Sequence, residues 1–262
     1  MSAFVKTASP HIHSFHTVRK QYGLAAAALL PALALGLFFF KVSALKIFGA
    51  SLAGVLTAQE LAGLWNPSAA RLRQGETFLL AAVFGLMVPL NAPAVWIFFA
   101  AAVSVFFSRE ILGGVFYAPC LARLVLETTF LEPPLAPVPA DAPWSGWAIL
   151  AGGLAFLFLK RVRWEIPLLY LSFLSAASFL PALSALRAEA GGVCLAAFWI
   201  ITDTYSTPLA RPAMRIFSIS AAVLTAGFLF SLPFYGALGA AVLTVNAVVP
   251  WLDEWFCPRG KK

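Results

Sequence analysis

From Tyr22 to Phe40 the chain carries no charged side chain, and from Ser43 to Trp65 it carries only Lys46 and Glu60. Each run is close to the roughly 20 residues that cross about 30 Å of hydrocarbon. A helix suits that setting because it satisfies its backbone groups within itself. The rest of the chain is built alike: 61% of residues are hydrophobic, 11% are charged and the mean hydropathy is +0.87, whereas ordinary soluble domains are about 25% charged. The expected class is an all-α integral membrane protein. A net charge of +7 could suggest nucleic acid, but the basic residues are scattered between apolar runs and form no single stripe. The partner this pattern selects is the lipid bilayer, with no nucleic acid.

About ten transmembrane helices are predicted. After the first two, Thr77 to Phe107 is too long for one crossing, and Pro89, Asn91 and Pro93 divide it into two short ones, since proline removes a backbone donor and disfavours helix just before it. Ile111 to Phe130 crosses next, with Gly113 and Gly114 at its start placed to allow close helix contact. Residues 131–145 hold five prolines, two acids and no Lys or Arg, the composition of an extended, exposed external loop. Gly146 to Leu159, Ile166 to Leu183, Gly192 to Thr202, Ile216 to Ser231 and Gly236 to Leu252 complete the set.

Cytoplasmic loops collect Lys and Arg. With both termini cytoplasmic, fourteen of the eighteen basic residues lie inside, among them Arg71, Arg73, Arg109, Lys160, Arg161, Arg163, Arg211 and Arg215. Arg123 falls within a span. The organisation expected is a cytoplasmic leader (1–21), a first transmembrane half (22–130), the external loop (131–145), a second half (146–252) and a cytoplasmic tail (253–262). Two five-span halves of inverted topology are a common plan among membrane carriers. Cys120, Cys194 and Cys257 are far apart and lack any C-x-x-C, so they read as packing residues. His11, His13 and His16 have no carboxylate or thiol near them in sequence, and no metal site is expected.

The most polar stretch inside the apolar pattern is A-A-F-W-I-I-T-D-T-Y-S-T-P, Ala196 to Pro208. It places Thr202 and Asp203 at the lipid boundary, where an ionisable group costs about 2.5–3.5 kcal/mol and normally faces protein, water or a ligand. Two readings stand side by side. One is a cap in which Asp203 or Thr204 satisfies backbone donors of the next helix. The other is a cofactor or ion site.

Several stretches in order resemble the RnfD/NqrB family, whose members belong to the Rnf electron-transport complex and the sodium-pumping NADH:quinone reductase. They are S-P-H (Ser9 to His11), Glu76 through V-P-L-N-A-P-A-V-W to R-E-I-L-G-G, W-A-I-L-A-G-G (Trp147 to Gly153) with R-V-R-W-E-I-P (Arg161 to Pro167), the Ala196 to Pro208 stretch, and A-A-V-L-T-V-N-A-V-V-P-W-L-D (Ala240 to Asp253) with P-R-G. The resemblance implies a multi-pass component of a bacterial inner membrane, associated with the Rnf subunits A, B, C, E and G. It implies a part in flavin-mediated electron transfer between ferredoxin and NAD, coupled to ion movement.

It also implies two flavins, and the chain departs from the family pattern at both. Covalent FMN is joined to the threonine of an S-G-A-T motif, which is absent here. Thr129, in L-E-T-T-F-L, lies near the equivalent place and is the candidate, against an ordinary helix-end hydroxyl. Riboflavin is associated with N-x-F-N-P-A, where this chain reads V-F-Y-A-P-C, and Ala118 cannot supply an amide donor and acceptor. Thr202 and Asp203 are the polar candidates for lining a flavin cavity. The alternatives are a flavin-free scaffold within such a complex and, because the family is structurally akin to urea channels, a small-solute channel.

Overall fold

The computed structural model describes residues 18–65, 74–129, 138–142, 144–159, 162–187, 189–203 and 206–256. The leader's histidines, Arg71, Arg73, Lys160, Arg161, Thr204, Tyr205, Cys257 and most of the Pro-rich segment lie outside them. Among the described residues there are nine α-helices and no strand: α1 (Val18–Trp65), α2 (Gln74–Met87), α3 (Ala94–Phe106), α4 (Ala118–Thr129), α5 (Ser145–Phe158), α6 (Glu165–Ala177), α7 (Ala190–Leu195), α8 (Arg211–Phe228) and α9 (Phe234–Phe256).

The helix α1 is two arms joined at Lys41, whose φ of 44° and ψ of −116° break the helical path. This is the boundary expected between the first two apolar runs. Contacts then show a chain that folds back on itself. Gln59 in the second arm accepts from the Thr77 hydroxyl at the start of α2 (3.2 Å). Lys46, just past the bend, donates to the Leu90 carbonyl between α2 and α3 (3.4 Å). Trp65 meets Phe106 at the far end of α3, with ring centroids 6.4 Å apart. Pro89 and Pro93 make the reversal between α2 and α3, with the Ala92 N–H donating to the Pro89 carbonyl (3.1 Å).

Among the described residues, three helical stretches are long and apolar enough to cross a membrane: Tyr22–Trp65, Ala94–Ile111 and Phe234–Phe256. The other apolar helices are shorter than the sequence suggested. At 1.5 Å per residue, α2 extends only about 21 Å. Two helices end in a π-helical turn, Phe107–Ile111 after α3 and Ala196–Ile200 after α7; the second is wholly buried, the setting in which departures from regular helix are tolerated at membrane depth.

The outside of the bundle is apolar. Phe38, Leu64, Phe158, Phe179 and Phe230 are exposed. Seven of the eight tryptophans, Trp65, Trp96, Trp144, Trp147, Trp164, Trp251 and Trp255, are exposed near helix ends, where aromatic belts meet the headgroups of a bilayer. Trp199 is the buried one, and its indole N–H donates to the Ala25 carbonyl of α1 (3.2 Å).

Two expectations are corrected. Gly113 and Gly114 do not bring helices together, because nothing lies within 4 Å of where their Cβ atoms would be. They sit at φ of 67° and 81° in the turn after the π-helical segment, where the Gly114 N–H donates to the Ser108 carbonyl (2.8 Å), and α4 begins only at Ala118. Gly114→Val is therefore expected to destabilise the protein by about 1–2 kcal/mol through its left-handed φ. A thermal unfolding curve in detergent that is unchanged by the substitution would contradict this.

The described end of the Pro-rich segment is not an exposed loop either. Val138, Ala140 and Ala142 are buried, and Pro139–Asp141 forms a short 3-10 turn. That turn packs against Gly36 of α1 and Gly191 of α7.

Candidate functional site

Asp203 follows the π-helical turn that ends α7. Its Oδ2 accepts from the Ser206 N–H and the Ser206 hydroxyl, both at 3.3 Å. Thr202 donates to the Phe198 carbonyl (2.5 Å), and Thr207 donates to the carbonyls of Ile201 (3.2 Å) and Asp203. The hydroxyls and carboxylate thus hold the turn on itself, as Asp and Thr side chains do in Asx and ST motifs. Of the two readings, the cap on the next helix is not made by Asp203, since α8 carries no side-chain cap hydrogen bond, and Thr204 lies outside the described residues. The donor just ahead of α8, the Leu209 N–H, is taken by Asp253 Oδ1 from the end of α9 (2.8 Å). Asp253 can do this because α9 runs back to the same end of the bundle.

Beside this turn lies the start of α4. The Asp203 charge reaches both Tyr117 and Cys120. Tyr117 is buried, and its hydroxyl is closed off without a hydrogen-bond partner. With the Asn246 amide turned so that oxygen and nitrogen face complementary partners, its oxygen accepts from the Tyr117 backbone N–H (3.2 Å) and its nitrogen donates to the Val242 carbonyl (3.2 Å). Asn246 is fully buried. Tyr22 of α1 also lies close enough to act on Tyr117 electrostatically. Tyr117, at the start of α4, is thus held through its backbone by Asn246 of α9 and lies within electrostatic reach of Asp203 and Tyr22. Of these, only Asp203 stands out in the sequence as a site residue. Tyr117 and Asn246 belong to recognisable motifs, but a lone tyrosine or asparagine beside apolar neighbours carries no periodic signal.

Thr129 is at the other end of α4. It lies nine residues from Cys120, about 13 Å along the helix axis. Its hydroxyl is exposed and donates to the Val125 carbonyl (2.7 Å). The structure therefore does not bring Thr129 together with Thr202 and Asp203, and a flavin at one place would be separate from a flavin at the other.

Two ion pairs frame the Asp203 end. Glu76, buried in the first turn of α2, pairs with Arg109 in the π-helical turn after α3. At the surface, Arg215 of α8 binds Glu165 at the start of α6 (3.1 Å). The hydrogen bond from Arg215 holds the Glu165 carboxyl below the usual carboxylate range. A lowered folded-state value means that this stabilisation is present at neutral pH and is lost as pH falls through that value.

Taken together, an apolar exterior, tryptophans at the helix ends and polar groups gathered inside define an all-helical membrane protein. The chain belongs to the NQR2, RnfD, RnfE family, whose model matches residues 5–131 and 140–262. It is 23% identical to the D subunit of the ion-translocating oxidoreductase complex of Methanosarcina acetivorans, over 99% of this chain and 97% of that protein. It is 30% identical to the D subunit of the like-named complex of Stutzerimonas stutzeri, over 59% of this chain and 50% of that protein. Similarity to the D subunit of the proton-translocating ferredoxin:NAD(+) oxidoreductase complex of Clostridium ljungdahlii is 19% identity over 97% of this chain and 95% of that protein.

Proposed function

We propose that the chain is the membrane-embedded D subunit of a Rnf-type, ion-translocating electron-transport complex linked to ferredoxin and NAD, and that it takes part in flavin-mediated electron transfer across a bacterial inner membrane. The observation that carries this reading is the end-to-end alignment with the M. acetivorans protein. Its setting is a bundle of ten crossings in two inverted halves with both termini cytoplasmic. The two arms of α1 and the turn between α2 and α3 support that path. The Rnf subunits A, B, C, E and G are its partners.

Flavin supplies the electron-carrying chemistry when bound. The residues suited to hold it are of two kinds. Thr129 offers an exposed hydroxyl able to carry the phosphodiester of covalent FMN. At the opposite end, the partnerless Tyr117 hydroxyl, with Asn246, Thr202 and Asp203 nearby, offers polar groups to the edge of a non-covalent riboflavin. The protein's part is to orient the ring and exclude water around it.

The absent S-G-A-T motif favours a second reading, a flavin-free scaffold within the complex. A tagged chain solubilised gently from native membranes should bring down its partner subunits and ferredoxin-dependent NAD reduction. Membranes lacking the chain should lose that activity. Solute uptake by the chain alone in liposomes, with no partner recovered, would instead indicate a channel.

Asp203 tests the site directly. Asp203→Ala is expected to lower electron transfer by about tenfold or more, equivalent to about 1.4 kcal/mol in a barrier, while the complex still assembles. Asp203→Asn keeps an oxygen to accept from Ser206. If Asn restores full activity, the residue serves the turn's shape and its charge is not needed.

A further inference from the structure

Helices α6 and α8 run side by side in the same direction. Arg215 binds Glu165, the Ser218 hydroxyl donates to the Ile166 carbonyl (2.7 Å), and the Tyr170 and Thr225 hydroxyls meet at 3.3 Å. Their first turns therefore lie together, at the Asp203 end of the bundle. Three guanidiniums gather there. Arg211 and Arg215 are exposed and one turn apart on α8. Arg163, two residues ahead of α6, reaches across to α8, where its Nη1 donates to Met214 Sδ (3.4 Å). The charges of all three act on the Glu165 carboxylate.

Of the three, Arg215 is the one bridged to Glu165. Among the described residues Arg163 and Arg211 make no salt bridge. The nearby carboxylate of α9, Asp253, is taken up by the Leu209 N–H, and its neighbour Glu254 makes no salt bridge among the described residues. The first turn of a helix carries positive partial charge and favours anions. In α8 that turn holds no acid and starts with Arg211, so the cluster calls for an anion from outside the chain.

The surface around the cluster selects which anion. On α8 the exposed arc that begins with Arg211 and Arg215 continues through Ile216 and Val223, and on α6 Leu168 is exposed. Trp164, between Arg163 and Glu165, is exposed as well. Cations, an interfacial tryptophan and an apolar stripe follow one another in the order of a phospholipid's phosphate, headgroup boundary and acyl chain. An acidic protein segment needs the cations but not the stripe.

We propose that Arg163, Arg211 and Arg215 form a binding site for the phosphate of an anionic phospholipid, whose acyl chains lie along the outer surface of α6 and α8. Guanidinium forks match phosphate oxygens, and Glu165 holds Arg215 in place for them. The site needs only this chain and is independent of any flavin.

The test is the melting temperature of the full chain in a neutral detergent, supplemented with phosphatidylglycerol or with phosphatidylcholine of the same acyl chains. Phosphatidylglycerol should raise Tm by about 3–5 °C per tenfold rise in its mole fraction beyond half-saturation, and phosphatidylcholine should not. Arg163→Gln with Arg211→Gln leaves the Arg215 to Glu165 pair intact and should reduce the response to that of phosphatidylcholine. Lys41→Gln with Arg187→Gln removes the same charge elsewhere and should preserve it. If the first double variant does not fold, Arg211→Gln alone should require about fivefold more phosphatidylglycerol for the same rise. Equal rises with the two lipids would leave the arginines to an acidic partner protein, and an equal rise with inorganic phosphate would point to a soluble anion. An undiminished response in the folded arginine variants, or an equal loss in the Lys41 and Arg187 variant, would make it a general effect of charge. Each of these results overturns the proposal.

Discussion

Arg109→Ala is expected to destabilise the protein by about 3 kcal/mol, lowering Tm in detergent by about 6–12 °C. Arg109 reaches from the π-helical turn after α3 to Glu76 in the first turn of α2, and the Glu76 side chain is only 5% exposed. Removing the guanidinium leaves a carboxylate that water cannot reach. The low end of the range for broken buried pairs applies because Arg109 itself is 26% exposed. The same argument fixes the rescue. Glu76→Gln in the Arg109→Ala background removes the stranded charge and should recover most of the loss, whereas a double variant as unstable as the single one would show that Arg109 acts through packing alone.

Gly152 is the position where one methyl group should do the most damage. A Cβ there would run into the Ala28 backbone carbonyl and lie 3.3 Å from the Trp199 ring. Backbone on one side and a ring fixed by its bond to Ala25 on the other leave nothing free to move. This is the close helix contact that small residues permit in membranes. Gly152→Ala is expected to cost about 2–3 kcal/mol by overpacking, and Gly152→Leu to prevent α1 and α5 from seating together. Gly49 is the control. It lies in the second arm of α1 with nothing within 4 Å of its Cβ position, so Gly49→Ala should stabilise by about 0.5–1 kcal/mol. Equal effects at the two glycines would show that helix propensity, and not the contact, controls both.

The helix order and the principal turns were legible in the sequence because apolar runs and prolines act locally. The break at Lys41 and the reversal at Pro89 to Pro93 fall where the runs are interrupted. Helix lengths were less legible. A π-helical turn such as Ala196–Ile200 has the same apolar composition as the α-helix it ends, so composition cannot mark it. The glycine pair at 113 and 114 was visible, but its use was not. Composition does not distinguish a glycine needed for φ from one needed for closeness, and here Gly152 does the packing while Gly114 makes the turn.

The site divides in the same way. Asp203 was conspicuous because a carboxylate in an apolar run is rare. Its binding to Ser206 is local, three residues on, whereas the role of Asp253 at Leu209 depends on the return of α9 from far along the chain. The Arg123 and Glu127 spacing was a readable signal for an ion pair on one helix face.

The most direct test of the flavin-carrying role is the flavin content of the chain itself. The protein is purified from its native membrane and separated from its partners in mild detergent, then denatured and run on a gel, with fluorescence read in the band and in the released supernatant. The proposed function predicts flavin: in the band if FMN is covalent, with loss in Thr129→Val, or in the supernatant if the flavin is held non-covalently near Tyr117 and Asn246. No fluorescence in either fraction, from chain taken out of an active complex, would contradict a flavin-carrying role and leave a scaffold.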